Sequence, residues 1–364
     1  MKIRFLGKGA GPLALLALSF LAVLAPAAED NAYTVHNLVS DVPGAADQTD
    51  SNLVNAWGLT AGPTSPWWVS DNGTDVSTLY STDGTSVSPV PLVVSVPSAP
   101  TGAVFNTGPN FVVSNGTSSG RALFLFATEE GKILGWNPGV SLTQAQVAVD
   151  HSTGPSPAVY KGLAIASSSA GSPPDRLYAT DFHNGQVDVF DGSFTQLSMP
   201  GAFVDPKIPG GFAPFGIQNV SGTILVTYAK QNAERHDDVA GQGLGFVDMY
   251  DTSGMLLGRV ATRGQLNSPW GLAMAPASFG RFGGDLLVGN FGDGQINAFE
   301  LQPNGNFEPR GQLRTGDGKV LTIDGLWALQ FGHGAPSNGP TNTLFFTAGP
   351  DGEAHGLFGA ITAN

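Results

Sequence analysis

Six times along the chain a Gly followed by a small or apolar residue opens a short apolar run. The pairs are Gly58-Leu59, Gly102-Ala103, Gly162-Leu163, Gly216-Ile217, Gly271-Leu272 and Gly325-Leu326, at intervals of 44, 60, 54, 55 and 54 residues. Each unit continues with a β-rich run, a tight turn and a second β-rich run. A period of this length built from short strands is the mark of radial repetition, and six units predict a six-bladed β-propeller of four-stranded blades. Glycine at the head of each unit has a physical reason. The innermost strands crowd the central axis, where a side chain would collide with the neighbouring blade.

The third and fifth units are the clearest. Arg176 to Asp181 reads as a strand, His183-Asn184-Gly185 turns the chain, and Gln186-Val187-Asp188-Val189-Phe190 alternates as a half-buried strand does. In the fifth, Asp285 to Gly289, Asn290-Phe291-Gly292-Asp293-Gly294 and Gln295 to Phe299 repeat that order. The last unit ends too early to supply its own outer strand, whereas Tyr33 to Val39 is a strand with no unit. The N-terminal strand is therefore expected to pair into the last blade, closing the ring and covering an edge. Gly and Pro, at 50 and 26 residues, leave no room for long helical periodicity.

Residues 1–28 read as a signal peptide ahead of a single propeller domain at 29–364. Lys2, Arg4 and Lys8 precede the uncharged run Leu13 to Leu24, and Ala25-Pro26-Ala27 offers a small-x-small cleavage site near Ala27. A run of this length falls short of the roughly 20 residues a spanning helix needs. The expectation is an exported protein, periplasmic or extracellular, and not an integral membrane protein. Cleavage would leave 13 Lys and Arg against 29 Asp and Glu, a net charge of −16. Such a surface repels nucleic acid. With no cysteine, disulfides, thiol catalysis and thiolate metal sites are excluded.

The fourth unit departs from the pattern. Its second strand ends near Lys230 and its third begins at Gly245, so residues 230–244 form an enlarged turn. Lys230, His236, Asp237 and Asp238 fall in this densest charged cluster of a chain only 12% charged. They are candidate ligand or cation contacts, the plainer alternative being a solvated loop with internal ion pairs. Turns between second and third strands should share one face with residues entering the inner strands. That face gathers Asn55, Asp71, Asn72, Asp181, Lys230, Asn290 and Asp324 as further candidates, although Asp and Asn also stand at strand ends simply to satisfy backbone groups. His183 is the weak catalytic candidate by position. The chain has no HExxH pattern and no G-x-S-x-G elbow.

Asn37-Leu38-Val39-Ser40-Asp41, Asn55-Ala56-Trp57-Gly58-Leu59, Trp68-Val69-Ser70-Asp71-Asn72-Gly73 and His236-Asp237-Asp238-Val239-Ala240-Gly241 resemble a family of exported bacterial propellers. Some of its members carry a PEP-CTERM sorting tail, which the C-terminal Ala363-Asn364 does not match. More distantly the units resemble NHL repeats. The resemblance implies the six-bladed fold and export, with no established activity. The leading expectation is a binding propeller that engages a small molecule, a glycan or a protein across its polar face. The alternative is a hydrolase or lyase resembling gluconolactonase-like propellers. Those hold a divalent cation such as calcium at the channel mouth, and Asp324, Asn55, Asp181 and Asn290 would supply oxygens here with His183 as base.

Overall fold

The computed structural model describes residues 30–166 and 175–364. The expected signal peptide, residues 1–28, lies outside them. The chain forms a six-bladed β-propeller of antiparallel blades. From the axis outward, the first blade runs Ala56–Thr60, Trp67–Asp71, Val76–Thr82 and Val87–Pro89, and the second Pro100–Phe105, Phe124–Thr128, Lys132–Trp136 and Gln146–Asp150. Tyr160–Ala166, Arg176–Asp181 and Gln186–Asp191 make the third, whose outer position is held by Leu197, donating its N–H to the Val189 carbonyl. Phe212–Val220, Thr223–Lys230, Gly245–Tyr250 and Leu256–Thr262 form the fourth, and Pro269–Met274, Leu286–Asn290, Ile296–Leu301 and Phe307–Gln312 the fifth. The sixth takes Leu326–Phe331, Leu344–Ala348 and Leu357–Ala363 from the end of the chain and Tyr33–Ser40 from its beginning.

That last pairing is the expected ring closure. Tyr33 lies opposite Ala363 and Ser40 opposite Leu357, with one bulge between Asn37 and Val39. Side chains lock it: Tyr33 Oη donates to the Phe279 carbonyl (3.1 Å) in the fifth blade, and His355 Nδ1 meets Asp41 Oδ2 at 2.8 Å. The final blade is thus stitched from both ends of the chain, so opening the ring requires separating segments more than 300 residues apart.

Hydrophobic side chains on the two faces of each blade pack against the next. One such layer joins Leu38, Val39, Leu59, Trp67, Tyr80 and Phe358 between the sixth and first blades. At the axis the glycines behave as expected in five blades. A Cβ on Gly58 would stand 2.2 Å from the Thr101 carbonyl oxygen, one on Gly216 2.1 Å from that of Trp270, and one on Gly271 2.5 Å from that of Trp327. Each inner strand thus approaches the next to within a distance that only a missing side chain allows.

The sixth unit corrects the sequence register. Gly325 precedes the inner strand in a left-handed conformation (φ +64°), where a Cβ would strike the Gly349 carbonyl. The residue equivalent to the five head glycines is Ala328, whose N–H donates to Thr347 Oγ1 (3.1 Å) as Gly216 N–H does to Thr227 Oγ1 (2.8 Å). The six residues that precede the head positions are therefore Trp57, Thr101, Lys161, Phe215, Trp270 and Trp327, with no carboxylate among them. Asp324 stands outside this ring.

Candidate functional site

Those six positions decide what the mouth of the channel is made of. Five of the six are apolar or uncharged, and with Phe182 and Phe291 from neighbouring turns they close the axis with aromatic rings. Trp327 stacks against Trp57 (3.6 Å between ring centroids, 13° between planes) and against Phe291 (3.8 Å, 16°). Trp270 meets both tryptophans edge-on and sends its Nε1–H to the Lys161 carbonyl (3.0 Å), tying the fifth blade to the third. Such offset and edge-on pairs add roughly 0.5–1.5 kcal/mol each beyond burial.

Lys161 is the one charge in this ring, and it is almost wholly buried. Its Nζ sits 5.2 Å from the centroid of Trp57, bonds Glu129 Oε1 closely, and reaches Asp237 Oδ1 at 3.3 Å. Burial alone would lower its pKa. The charge of Glu129 and then that of Asp237 outweigh this and hold the ammonium above its ordinary range. A cation over a tryptophan face with two carboxylates in reach is electrostatically satisfied from three sides.

Around the ammonium a polar ring continues through side-chain hydrogen bonds. Glu129 Oε2 accepts from Asn72 Nδ2 (2.9 Å), and Asn72 Oδ1 accepts from Asn55 Nδ2 (3.1 Å). Asn55 Nδ2 also donates to Glu353 Oε2 (2.6 Å), while its Oδ1 accepts from Trp327 Nε1 (2.9 Å). Asn55 adopts φ +47°, which asparagine tolerates better than most residues, and this aims the amide at three partners at once. Burial, followed by the charge of Glu129, pushes the Glu353 carboxyl up, against the hydrogen bond from Asn55. Asp238 is likewise raised by burial, opposed by the Ser268 hydroxyl and by Lys161. For Asp237, burial is outweighed by Lys161 and His236, and its carboxyl falls below the ordinary range.

The enlarged turn brings its acids here because it is folded. Val239 N–H closes on the Lys230 carbonyl (2.7 Å), and Asn232 N–H on that of Asp237 (2.8 Å). Asn267 Oδ1 anchors the loop by accepting from Gly241 N–H (2.6 Å). His236 Nδ1 lies 2.7 Å from Asp237 Oδ1, and His236, Asp237 and Glu129 can point one ligand atom each to within 4.8 Å of one another.

Of the residues singled out in the sequence, Asn55, Asn72, His236, Asp237 and Asp238 converge at this mouth. The others stand apart from its hydrogen-bonded ring. Asp71 is fully buried, accepts the Thr78 N–H (2.9 Å), and has its pKa raised well above the ordinary value by burial. Asp181 accepts the N–H groups of Val159 and Asn184, bracing its own turn, and burial lifts its pKa to about 6. Asn290 donates to the Gln265 carbonyl and to Asp293, and Asp324 accepts the Asp351 N–H at an exposed turn. Lys230 is exposed, and His183 is half-buried with its carbonyl facing Gln231. Glu129, in a turn between second and third strands, and Lys161, at the entry to an inner strand, belong to the expected face but were not singled out in the sequence, and neither was Glu353.

A divalent cation fits this mouth poorly. The Glu129–His236–Asp237 set offers three donors of suitable chemistry, but the Lys161 ammonium already engages the two carboxylates. Like charges would have to share one site.

No protein-family model matches the chain. It is 32% identical over 337 residues to the uncharacterized protein R648 of Acanthamoeba polyphaga mimivirus, covering 90% of this chain and 80% of that protein. It is 31% identical over 337 residues to protein L690 of the same virus, covering 90% and 85%. Among solved structures it is similar to a provisionally named gluconolactonase, with 17% identity, a TM-score of 0.51, and 91% and 98% of the two chains covered. A soluble aldose sugar dehydrogenase from Escherichia coli gives 12% identity, a TM-score of 0.50, and 91% and 100% coverage. At these identities the structural likeness speaks to fold alone.

Proposed function

The chain belongs to the family of the mimivirus proteins R648 and L690, and we propose that it is an exported binding propeller that grips a hydroxyl- or amine-bearing ligand at this mouth. The observation that carries the reading is Lys161. Its ammonium neutralises part of an acidic cup from within, so the cup keeps its shape without a bound metal. Glu129, Glu353, Asp237 and Asp238 leave an excess of acceptors around it, and half-buried Trp270 and Phe291 offer aromatic surface below. Carboxylate and amide oxygens over aromatic surface suit sugar hydroxyls and protonated amines. Glycans, amino sugars above all, are the best-matched class. Export rests on the sequence of residues 1–28, and N-terminal sequencing of protein recovered outside the cytoplasm tests it, with a start at or near Ala28 expected.

The binding reading is tested by titrating neutral, amino and acidic disaccharides into the protein and into Glu353→Gln and Asp238→Asn variants. Amino sugars should bind most tightly and lose affinity in both variants. Equal affinity for all three sugar classes, or insensitivity to both substitutions, refutes it.

A second reading, the cation-dependent hydrolase or lyase, is favoured by the Glu129–His236–Asp237 set. For that set to act, Lys161 must first leave both carboxylates. Stoichiometric metal in freshly purified protein, with a melting temperature that drops on chelation, would favour it over binding alone.

A further inference from the structure

A second cavity opens along the axis, on the face opposite the mouth. The residues that follow the six head positions are Leu59, Ala103, Leu163, Ile217, Leu272 and Leu329. All six line a narrow neck of about 30 Å³ that ends at Trp270. Each packs toward the preceding blade, opposite the residue two places after that blade's head. Ile217 thus meets Ala164 in the layer between the third and fourth blades, and Leu329 meets Ala273 between the fifth and sixth. Five of the six joints hold a leucine or isoleucine in this way. The joint between the first and second blades has only Thr60 and Ala103, the smallest combination of the six. The space this leaves is a cavity of about 250 Å³, walled by Thr60, Ala103 and Phe105 and reaching Gln330 of the sixth blade and Gln218 of the fourth.

The polar groups that meet this space carry no formal charge. Among the described residues that line it, none is Asp, Glu, Lys or Arg. His333 Nδ1 faces the Gly62 carbonyl (3.3 Å), so Nδ1 carries the proton and Nε2 is left to accept from Gln330 Nε2 (3.3 Å). That bond orients the Gln330 amide and leaves its Oε1 without a partner among the described residues. Gln218 is half-buried, and its amide forms no hydrogen bond among the described residues. An ionised ligand entering here would lose hydration with no counter-charge to replace it. A carboxamide brings one acceptor oxygen and an N–H donor group, the complement of a glutamine side chain.

We propose that this cavity binds a small neutral carboxamide, its hydrocarbon part seated beside Ala103 and its amide received by Gln218 and Gln330. Both glutamines also line the neck, whose small size brings them together at the inner end of the cavity. The volume lies just under the roughly 300–1,000 Å³ of drug-sized sites, so the ligand is of about single-ring size. Trp270 and the stacked Trp57 and Trp327 divide this site from the acidic mouth.

Ligand-observed NMR titration tests it with three probes of similar size: benzamide, benzoate and benzyl alcohol. Benzamide should bind the wild type at about millimolar concentration, benzoate about tenfold or more weakly, and benzyl alcohol between the two. Ala103→Leu supplies the side chain that Leu59, Leu163, Leu272 and Leu329 provide in other blades, so the variant should fold and lose about tenfold or more in benzamide affinity. The double variant Gln218→Leu, Gln330→Leu keeps the bulk and removes both amides, and should reduce benzamide to the affinity of benzyl alcohol. Gln302→Leu, in a turn of the fifth blade outside the cavity, should change affinity by less than about twofold. If Ala103→Leu melts well below the wild type, the glutamine variant alone decides. The proposal is overturned if benzamide does not bind the wild type, if benzoate or benzyl alcohol binds as tightly, or if a folded variant at Ala103 or at the two glutamines keeps wild-type affinity.

Discussion

Replacing Gly216 by alanine tests the architecture at its most crowded point. The new Cβ would stand 2.1 Å from the Trp270 carbonyl oxygen and 3.0 Å from Thr227 Oγ1. The shortfall from ordinary contact is about an ångström, and the obstacle is backbone, so a rotamer change cannot relieve it. Overpacking of this kind costs about 1–3 kcal/mol, and a backbone obstacle places the cost toward the upper end. Against it stands the lower unfolded-state entropy of alanine, about 0.4–1 kcal/mol in favour of the variant. The net expectation is a loss of about 2 kcal/mol. For a domain of about 330 residues the unfolding entropy near the midpoint is about 0.7 kcal/mol/K, so Tm should fall by about 3 °C. Gly210 is the control: nothing lies within 4 Å of its Cβ position, and Gly210→Ala should be neutral or slightly stabilising. Calorimetry or urea unfolding followed by circular dichroism reads both variants. A Gly216→Ala protein as stable as wild type would refute the claim that adjacent inner strands approach through their glycines.

Ala328 occupies the same position in the sixth blade and already carries a methyl group, so Ala328→Gly should lose about 1 kcal/mol from backbone freedom alone, read by the same urea midpoints. The hydrogen bond to Asp41 raises the pKa of His355 above 6.5. The protonated imidazole therefore stabilises the ring closure fully below 6.5, and that contribution fades as pH rises through the folded-state value. Asp41→Asn should flatten the fall in Tm across that window, and an unchanged slope would contradict it. Asp181, lifted by burial from 3.8 to about 6, follows the same sign: stability is lost as pH rises from about 4 to beyond 6. Asp181→Asn, which cannot ionise, should show a shallower decline of the urea midpoint over that range.

The fold was legible because propellers announce themselves twice, in the repeat and in the unmatched strand at the front. The Gly-x register failed only in the sixth blade, where Ala328 takes the head position and Gly325 supplies a left-handed turn three residues earlier. Two glycines with different physical roles look alike in a string of letters. The enlarged turn at 230–244 was visible as a break in the repeat, whereas the target of its acids was not. Lys161 comes from the third blade, Glu129 from the second, and Glu353 from the sixth, and no local pattern links positions that meet only across the axis. Asp71, Asp181 and Asn290 show the converse. Their residue types fit a binding rim, but their side chains are spent on backbone groups of their own blade, Asp71 on Thr78, Asp181 on Val159, and Asn290 on Gln265 in the loop that leads into it.

The central claim is that Lys161 stands where a bound cation would otherwise be needed. It is tested most directly by following Tm of the wild type and of Lys161→Met during titration with calcium and zinc. Removing the ammonium leaves Glu129 and Asp237 without their shared counter-charge, so the apo variant should melt lower than wild type. The variant, and not the wild type, should then gain Tm as either ion is added, reversibly on chelation. A wild type stabilised by the ion as strongly as the variant would contradict the account.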